Sequence, residues 1–202
     1  MIQTPLTKLV IASNNKGKLH EIRSLLDPLR IEVFTQSEFK IPEVDEPFHT
    51  FVENALTKAR NASKHAGLPA LADDSGICVN ALNGEPGVKS ARFAGEPKSD
   101  QRNNQKLVEA LKNQADRSAY YYCIIVLLRH ADDPQPIIVD GTWQGEIILE
   151  PKGQGGFGYD PYFYLPELGK TAAELPAEQK NRISHRGKAL AELAAYIQGR
   201  KS

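Results

Sequence analysis

Two neighbouring carboxylates, Asp73 and Asp74, follow a short apolar stretch and precede Ser75 and Gly76. Adjacent acids repel each other unless something compensates their charge. Carboxylate oxygens suit Mg²⁺, and one of the two groups could bind the metal while its neighbour orients a water molecule. An ordinary turn is the alternative, since Asp, Ser and Gly are common turn residues. The sequence predicts that the pair lies in a turn at the end of a strand.

A second source of carboxylates is the acidic stretch Glu43-Val44-Asp45-Glu46. It could bring another oxygen ligand to the same metal, although most acidic loops are only solvated. The five histidines are scattered along the chain, and Cys78 and Cys123 lack the spacing of a zinc site. A zinc centre is therefore not expected.

The polar stretch Ser13-Asn14-Asn15-Lys16-Gly17-Lys18 joins a predicted strand to a predicted helix. Unpaired N–H groups and the helix dipole favour an anion at such a position, and Lys16 and Lys18 add positive charge. A phosphate group fits this description. An ordinary loop with capping residues and solvated lysines fits it equally well.

Glycines are concentrated between Lys152 and Pro161, where Gly153, Gly155 and Gly158 match the pattern G-x-G-x-x-G. A dinucleotide site is rejected, because that motif must open a helix in a β-α-β unit. The glycines are instead expected to let the backbone approach a ligand, with Phe157 or Tyr159 offering a face for stacking. The alternative is a flexible turn with aromatic core residues.

A donor-rich group lies near the C-terminus, where Lys180 precedes Ser184-His185-Arg186-Gly187. Ser184 is a good N-cap for a last helix. His185 and Arg186 in the first turn oppose the helix dipole, which indicates a ligand that carries acceptors. A lone histidine is otherwise more often a surface or core residue.

The elements that must position these residues begin with a β-α-β pattern over residues 8–34. Thr50-Phe51-Val52-Glu53 is a capping box that opens a long helix ending at Gly67. Strands are predicted at 119–129, 137–139 and 141–149. This order predicts an α/β fold with a mixed β-sheet flanked by helices. Residues 1–202 are expected to form a single domain, with a second lobe at about 80–150.

Charge and length exclude several classes of protein. Lys plus Arg and Asp plus Glu both number 25, so the formal net charge is zero, which argues against a nucleic-acid binder. The longest apolar run, 119–128, is too short to cross a bilayer, and the apolar stretch near the N-terminus is shorter than we expect of a signal peptide. We expect a cytoplasmic protein without a nucleic-acid or membrane partner.

Taken together, these stretches resemble one family, the ITP/XTP pyrophosphatases, also called Ham-type or inosine triphosphate pyrophosphatases. The most specific segments are Thr50-Phe-Val-Glu-Asn-Ala55 with Lys58, Ala72-Asp-Asp-Ser-Gly76, Gly155-Gly-Phe-Gly-Tyr-Asp-Pro161 and Ser184-His-Arg-Gly187. The resemblance implies a homodimeric α/β fold with a long mixed sheet and two lobes with a central cleft. It also implies Mg²⁺-dependent hydrolysis of ITP, dITP and XTP to the monophosphate and pyrophosphate, which removes deaminated purines from the nucleotide pool.

The resemblance further implies residue roles. Asp74 would act as general base and metal ligand, with Asp73 beside it. Glu46 is favoured as the second metal carboxylate, with Asp45 close behind, although Asp45-Glu46-Pro47-Phe48-His49-Thr50 departs from the family's usual small residue and glycine before Thr-Phe. The expected substrate-binding residues are Ser13, Asn14, Asn15, Lys16, Gly17, Lys18 and Lys58 at the triphosphate, Ser75 beside the substrate, and Phe157, Gly158, Tyr159, Asp160, Lys180, His185 and Arg186 at the base.

Two other functions stay open. A Maf-like nucleotide pyrophosphatase would act on pyrimidine or modified nucleotides, and a panel of nucleoside triphosphates would distinguish it. A catalytically silent nucleotide-binding regulator is disfavoured by the presence of Asp73, Asp74 and Lys58.

Overall fold

The predicted β-α-β opening is confirmed in a computed structural model that describes residues 6–199, with only the backbone of Leu25. Strand β1 (Lys8–Ile11) leads into helix α1 (Lys16–Leu26), and β2 (Glu32–Thr35) pairs with β1 in parallel. Helix α1 begins where Asn15 Oδ1 accepts a hydrogen bond from the Lys18 N–H at 3.1 Å. The cap therefore fixes the polar stretch at the start of the helix.

Helix α2 (Phe51–Ala66) has the predicted signals at both ends. Thr50 Oγ1 accepts from the Glu53 N–H, and Gly67 ends the helix with a φ of 64°. This positive φ costs glycine little, whereas it strains other residues. The predicted hydroxyl N-cap and the helix end are confirmed, and the Glu53 carboxylate accepts from the Thr50 hydroxyl.

Strand β3 (Ala70–Val79) corrects the prediction of a turn at Asp73–Gly76, because all ten residues are extended and the strand continues through both carboxylates. Side chains alternate between the two faces of a strand, so Asp73 and Asp74 point to opposite sides of the sheet. This separation, together with the cationic partners described below, reduces the repulsion between the two carboxylates.

The remaining helices are α3 (Asp100–Leu111), α4 (Ala177–Ile183) and α5 (His185–Ile197), and the remaining strands are β4 (Ser118–Leu128), β5 (Ile137–Ile147), β6 (Phe163–Leu165) and β7 (Lys170–Thr171). The sheet order is β2-β1-β3-β4-β5-β6-β7. Parallel pairs join β1 to β2 and β3, and antiparallel pairs join β6 to β5 and β7. The predicted α/β class with a mixed sheet is confirmed.

Strand β5 corrects a second prediction, which divided it into 137–139 and 141–149. Mostly every second residue from Ile137 to Ile147 is buried, and Asp140 occupies an exposed position of this alternation. An exposed aspartate does not interrupt a strand whose other face is buried. The two predicted strands are therefore one.

The chain divides into two compact units. Within the described residues, the first unit contains 6–74, 123–141 and 186–199, and the second contains 75–122 and 142–185. Each has its own apolar core: the first includes Leu9, Ile22, Leu71, Ile125 and Leu190, and the second includes Ile77, Leu107, Trp143, Ile147 and Phe163. The single domain with a lobe at about 80–150 stays a prediction.

No helix within residues 6–199 is long and apolar enough to cross a lipid bilayer.

Candidate active site

The carboxylate of Asp74 lies in a cluster of polar side chains in the first unit. Its Oδ1 accepts from Lys58 Nζ at 3.1 Å, and Asn54 Nδ2 lies 3.4 Å from its Oδ2. Asn54 and Lys58 are four residues apart, which places them on the same face of α2. The same ammonium lies 2.8 Å from Glu46 Oε2. Lys58 therefore joins two of the predicted catalytic and metal-binding carboxylates.

The carboxylate of Asp73 has different partners in the same unit. Its Oδ2 lies 2.9 Å from Lys18 Nζ and 3.1 Å from Arg186 Nη2. Arg186 also pairs with Glu21 of α1. Asp73 and Arg186 are each only 2% exposed, so their charges are compensated almost entirely by protein groups. The compensation that the sequence attributed to a metal comes here from lysine and arginine side chains.

The two neighbouring aspartates differ in pKa. Burial alone would raise the pKa of Asp73, but Lys18 and Arg186 hold it well below its ordinary value. Burial raises the pKa of Asp74, and the Glu46 charge adds to this effect while Lys58 opposes it. Environments that separate two carboxyl pKa values are typical of sites where one group exchanges a proton. Asp74 is the member of the pair that is suited to accept one.

Glu46 is linked to Asp74 more closely than through Lys58. The negative charge of Glu46 also acts directly on Asp74 and raises its pKa. Burial alone would raise the pKa of Glu46, but Lys58 lowers it below its ordinary value. The two carboxyl groups therefore shift in opposite directions, Glu46 toward its charged form and Asp74 toward its protonated form.

This donor set fits a divalent cation. Within residues 6–199, no group of three or more His, Cys, Asp or Glu side chains is arranged to hold a metal ion. Mg²⁺, however, commonly uses one or two carboxylates and takes its other oxygens from water and substrate phosphates. Asp74 and Glu46 supply such a pair of carboxylates beside Lys58. Asp45 is exposed to solvent.

The polar stretch 13–18 is arranged as a helix cap. Ser13 Oγ accepts from the Asn15 N–H at 3.2 Å, and Asn14 Nδ2 donates to Glu43 Oε1 at 2.7 Å. Lys16 is exposed, whereas Lys18 reaches Asp73. The capping interpretation is confirmed, and the predicted phosphate contact of this stretch and of Gly17 stays a prediction.

In the second unit, Asp160 is the centre of another polar cluster. Its Oδ2 lies 2.7 Å from Lys180 Nζ and 2.9 Å from the Phe157 nitrogen. Tyr121 donates its hydroxyl to Oδ1 at 3.4 Å. The Lys180 ammonium also lies 4.7 Å from the centroid of the Phe157 ring, within the range of a cation–π contact. Three of the predicted base-binding residues, Phe157, Asp160 and Lys180, are therefore brought together.

His185 lies in an aromatic cluster of the same unit. Its ring stacks on Tyr121 with centroids 4.6 Å apart and an angle of 7° between the planes, and Trp143 lies 6.4 Å away. Tyr159 is buried, and its hydroxyl donates to the Ser90 carbonyl at 2.8 Å. Ser75 lies half-buried on β3. Arg186, predicted beside His185 at the base, instead pairs with Asp73 and Glu21 in the first unit.

The conformation of the glycine-rich stretch shows why a glycine is needed at position 156. Residues 151–161 contain neither helix nor strand, which confirms the rejection of the dinucleotide motif. Gly156 has a φ of 72°, and a Cβ atom there would overlap Asp160 Oδ2. The absence of a side chain is therefore required for Asp160 to reach the Phe157 nitrogen and Lys180.

Sequence reasoning missed four residues of these clusters: Glu21, Asn54, Tyr121 and Trp143. The alternation of apolar and polar residues along β5 was a usable signal for Trp143, whereas Tyr121 lies among three consecutive tyrosines of β4. Asn54 lies four residues before the predicted Lys58, on the same helix face. Nothing in the sequence marks Glu21, which looks like a solvated helix residue.

Comparison with known proteins gives a consistent result. The sequence model of the Ham1 family matches residues 9–196. The dITP/XTP pyrophosphatase of Nitrosomonas europaea is 73% identical over 95% of both chains, and that of Chromobacterium violaceum is 62% identical over 94% of this chain and 96% of the relative.

Solved structures agree with the sequence comparison. A HAM1 protein from Coxiella burnetii has a TM-score of 0.90 at 49% identity, covering 96% of this chain and 99% of its own. The Ham1 protein of Staphylococcus aureus has a TM-score of 0.86 at 44% identity, covering 96% and 100%. Both similarities extend over nearly the whole of each chain.

Proposed function

The chain belongs to the Ham1 family, and on this premise we propose that it is a nucleoside triphosphate pyrophosphatase. It hydrolyses ITP, dITP and XTP to the nucleoside monophosphate and pyrophosphate, and so removes deaminated purine nucleotides from the nucleotide pool. The observation that carries the proposal is the buried cluster in which the Lys58 ammonium contacts both Asp74 and Glu46. The names of the curated relatives support the choice of substrates.

Asp74 is proposed as the general base. It takes a proton from a water molecule aimed at the α-phosphorus, the new oxygen–phosphorus bond forms, and the bond between the α-phosphorus and the bridging oxygen breaks. Pyrophosphate leaves with the electron pair of that bond. Lys18 and Lys58 stabilise its negative charge without needing bidentate geometry.

Pyrophosphatases of this family are metal-dependent hydrolases, and we propose Mg²⁺ as the metal. Asp74 and Glu46 would hold it, and it would neutralise charge on the phosphate oxygens. The fit of the donor set described above supports this choice.

Recognition of the base is proposed for the second unit. Hypoxanthine and xanthine carry a 6-oxo acceptor, whereas adenine carries an amino donor. Donors of Lys180 and His185 would face that position, and a mismatched donor costs about 1–3 kcal/mol when it is left unpaired. Arg186 already donates to two carboxylates, so the other two residues are the stronger candidates.

The deciding experiment is a product assay with Mg²⁺ and separate samples of ITP, XTP, dITP, GTP and ATP. Pyrophosphate should be the main product from the first three, with much slower release from GTP and ATP. Orthophosphate as the main product would contradict attack at the α-phosphorus. Preference for pyrimidine nucleotides in an extended panel would favour the Maf-like alternative, and no release at all would favour a silent regulator.

We also propose that the enzyme is a cytoplasmic homodimer, as its family resemblance implies. Light scattering should then give about twice the 22.3 kDa mass of one chain. A monomeric mass would contradict the dimer, and recovery in a membrane or extracellular fraction would contradict the location.

A further inference from the structure

Helix α3 binds both backbone polar groups of Gly158. The Gly158 N–H donates to Asp100 Oδ2 at 2.8 Å, and the Gly158 carbonyl accepts from Asn104 Nδ2 at 2.9 Å. Asp100 and Asn104 are four residues apart, so they lie on the same face of the first turns of α3. A single helix thus binds both the N–H and the carbonyl of one residue in the glycine-rich stretch.

Gly158 lies inside a turn in which the Asp160 N–H donates to the Phe157 carbonyl at 3.3 Å. It has a φ of 63°, and a Cβ at this position would have no atom within 4 Å. The residue lies in a segment without helix or strand, so no regular hydrogen-bond ladder includes it. The conformational freedom of glycine is large, and the two hydrogen bonds from α3 add to the turn in fixing the peptide groups of Gly158.

The residues on either side of Gly158 belong to the proposed base-binding group. The Phe157 N–H donates to Asp160 Oδ2, and the Phe157 ring lies under the Lys180 ammonium. Rotation of the Gly158 peptide would therefore move the Phe157 ring and the Asp160 acceptor together. Asp100 and Asn104 belong to the second unit, whereas the carboxylate cluster around Asp74 belongs to the first.

We propose that Asp100 and Asn104 are positioning residues that hold Gly158, and thereby Phe157 and Asp160, in the arrangement that binds the substrate base. The inference rests on the proposed function, in which these residues contact the base. Loss of either side chain then weakens substrate binding and leaves the chemical step at Asp74 largely intact.

The chain provides a matched control in Asn103. Asn103 and Asn104 are adjacent on α3 and are 2% and 7% exposed. Asn103 accepts from the Ala94 N–H at 2.8 Å and donates to the Ala91 carbonyl at 3.1 Å, so it holds a different segment. Substitution of either asparagine removes buried hydrogen bonds, and only Asn104 binds Gly158.

The experiment compares kcat and KM for ITP in Asn104→Ala, Asp100→Ala, Asp100→Asn and Asn103→Ala, each with its melting temperature. Asn104→Ala should raise KM about tenfold, the equivalent of one lost hydrogen bond, with kcat changed less than about threefold. Asp100→Ala should have a smaller effect because Asp100 is exposed. Asp100→Asn keeps an acceptor and should restore KM, whereas Asn103→Ala should lower the melting temperature with KM unchanged.

Equal changes of KM in the Asn103 and Asn104 variants would overturn the inference, as would a fall in kcat at constant KM. The proposed function fails separately if the wild-type enzyme releases no pyrophosphate from ITP. In that event equilibrium binding of ITP decides the inference. Weaker binding by Asn104→Ala than by Asn103→Ala supports it, and equal binding or no binding to the wild type contradicts it.

Discussion

Asp73 and Asp74 are neighbouring residues of the same type, but their surroundings shift the pKa values of their carboxyl groups in opposite directions. Asp73 is surrounded by Lys18 and Arg186, and Asp74 shares Lys58 with Glu46. Cations hold the first carboxyl group in its charged form, whereas burial and a nearby anion favour a proton on the second. The strand that places them on opposite faces makes this difference achievable within one dipeptide.

Asp74→Asn should remove the proposed base while preserving the shape of the side chain. We expect kcat for ITP hydrolysis to fall about 10²- to 10⁴-fold, the usual contribution of a general base, with ITP affinity little changed. Single-turnover kinetics and equilibrium binding measure the two effects. Glu109→Gln, at an exposed side chain of α3, serves as the control and should keep its activity. Near-normal turnover of Asp74→Asn would exclude Asp74 as the base.

The raised pKa of Asp74 has a measurable sign. In the metal-free protein, ¹³C-carboxyl NMR should show Asp74 titrating above its ordinary value and Glu46 below it. The raised pKa of Asp74 adds to the free energy of unfolding. This contribution is fully present below the ordinary pKa, about 3.9, and is lost as pH rises through the raised pKa. Glu46→Gln removes a neighbouring anion and should lower the pKa of Asp74. An unchanged or higher value in that variant would contradict the proposed coupling.

The sequence was enough to select individual residues of the candidate site, but not to predict which of them form ion pairs with each other. Asp73, Asp74 and Lys58 could be selected because their charges and motif positions are local properties of the sequence. Glu21 could not, because its partner Arg186 lies 165 positions away and its own neighbourhood resembles a solvated helix. Long-range pairing of this kind depends on the fold, which composition does not contain.

Helices and strands with strong local signals were predictable for the same reason. Thr50 and Gly67 delimit α2 through hydrogen bonds and backbone preferences that act within a few residues. Strand β3 was harder, because Asp73–Gly76 has the composition of a turn. Its extended conformation depends on the place of β3 between β1 and β4 in the sheet and on distant cations that compensate the two acids.

Gly156→Ala tests the close packing of the glycine-rich segment. A left-handed φ costs a non-glycine residue about 1–2 kcal/mol, and a Cβ at Gly156 would also displace Asp160. We expect a larger loss of unfolding free energy than for Gly84→Ala, together with a raised KM for ITP. Gly84 has a φ of 86° with no atom within 4 Å of a Cβ, so it isolates the backbone cost. Equal losses in the two variants would contradict the predicted overlap. Urea unfolding and steady-state kinetics measure both effects.

At the scale of the whole molecule, zero net charge conceals a local sorting of charges. The first unit gathers Lys18, Lys58 and Arg186 around Glu21, Glu46, Asp73 and Asp74. A chain with balanced total charge has little attraction for nucleic acid. The same balance suits a nucleotide whose own charge is compensated by a metal ion.

Arg186 connects three elements of the first unit, α5, α1 and β3, through Glu21 and Asp73. Arg186→Ala would leave two buried carboxylates without this cation, and we expect a loss of about 3–5 kcal/mol in unfolding free energy. The exposed Arg60 is the control, and Arg60→Ala should change stability by less than about 0.5 kcal/mol. Urea unfolding distinguishes the variants. A loss of activity at normal stability would instead indicate that Arg186 acts on the substrate.

The aromatic cluster of the second unit contains the one tryptophan of the chain, Trp143, which is 5% exposed. Its emission therefore monitors only the second unit, whereas far-ultraviolet circular dichroism averages the helices and strands of both. Coincident unfolding curves from the two signals would mean that the units melt as one cooperative block. An earlier change in emission would mean that the surroundings of His185 are lost while the carboxylate cluster is still folded. The fluorescence of Trp143 can therefore be used to measure whether the two units unfold together.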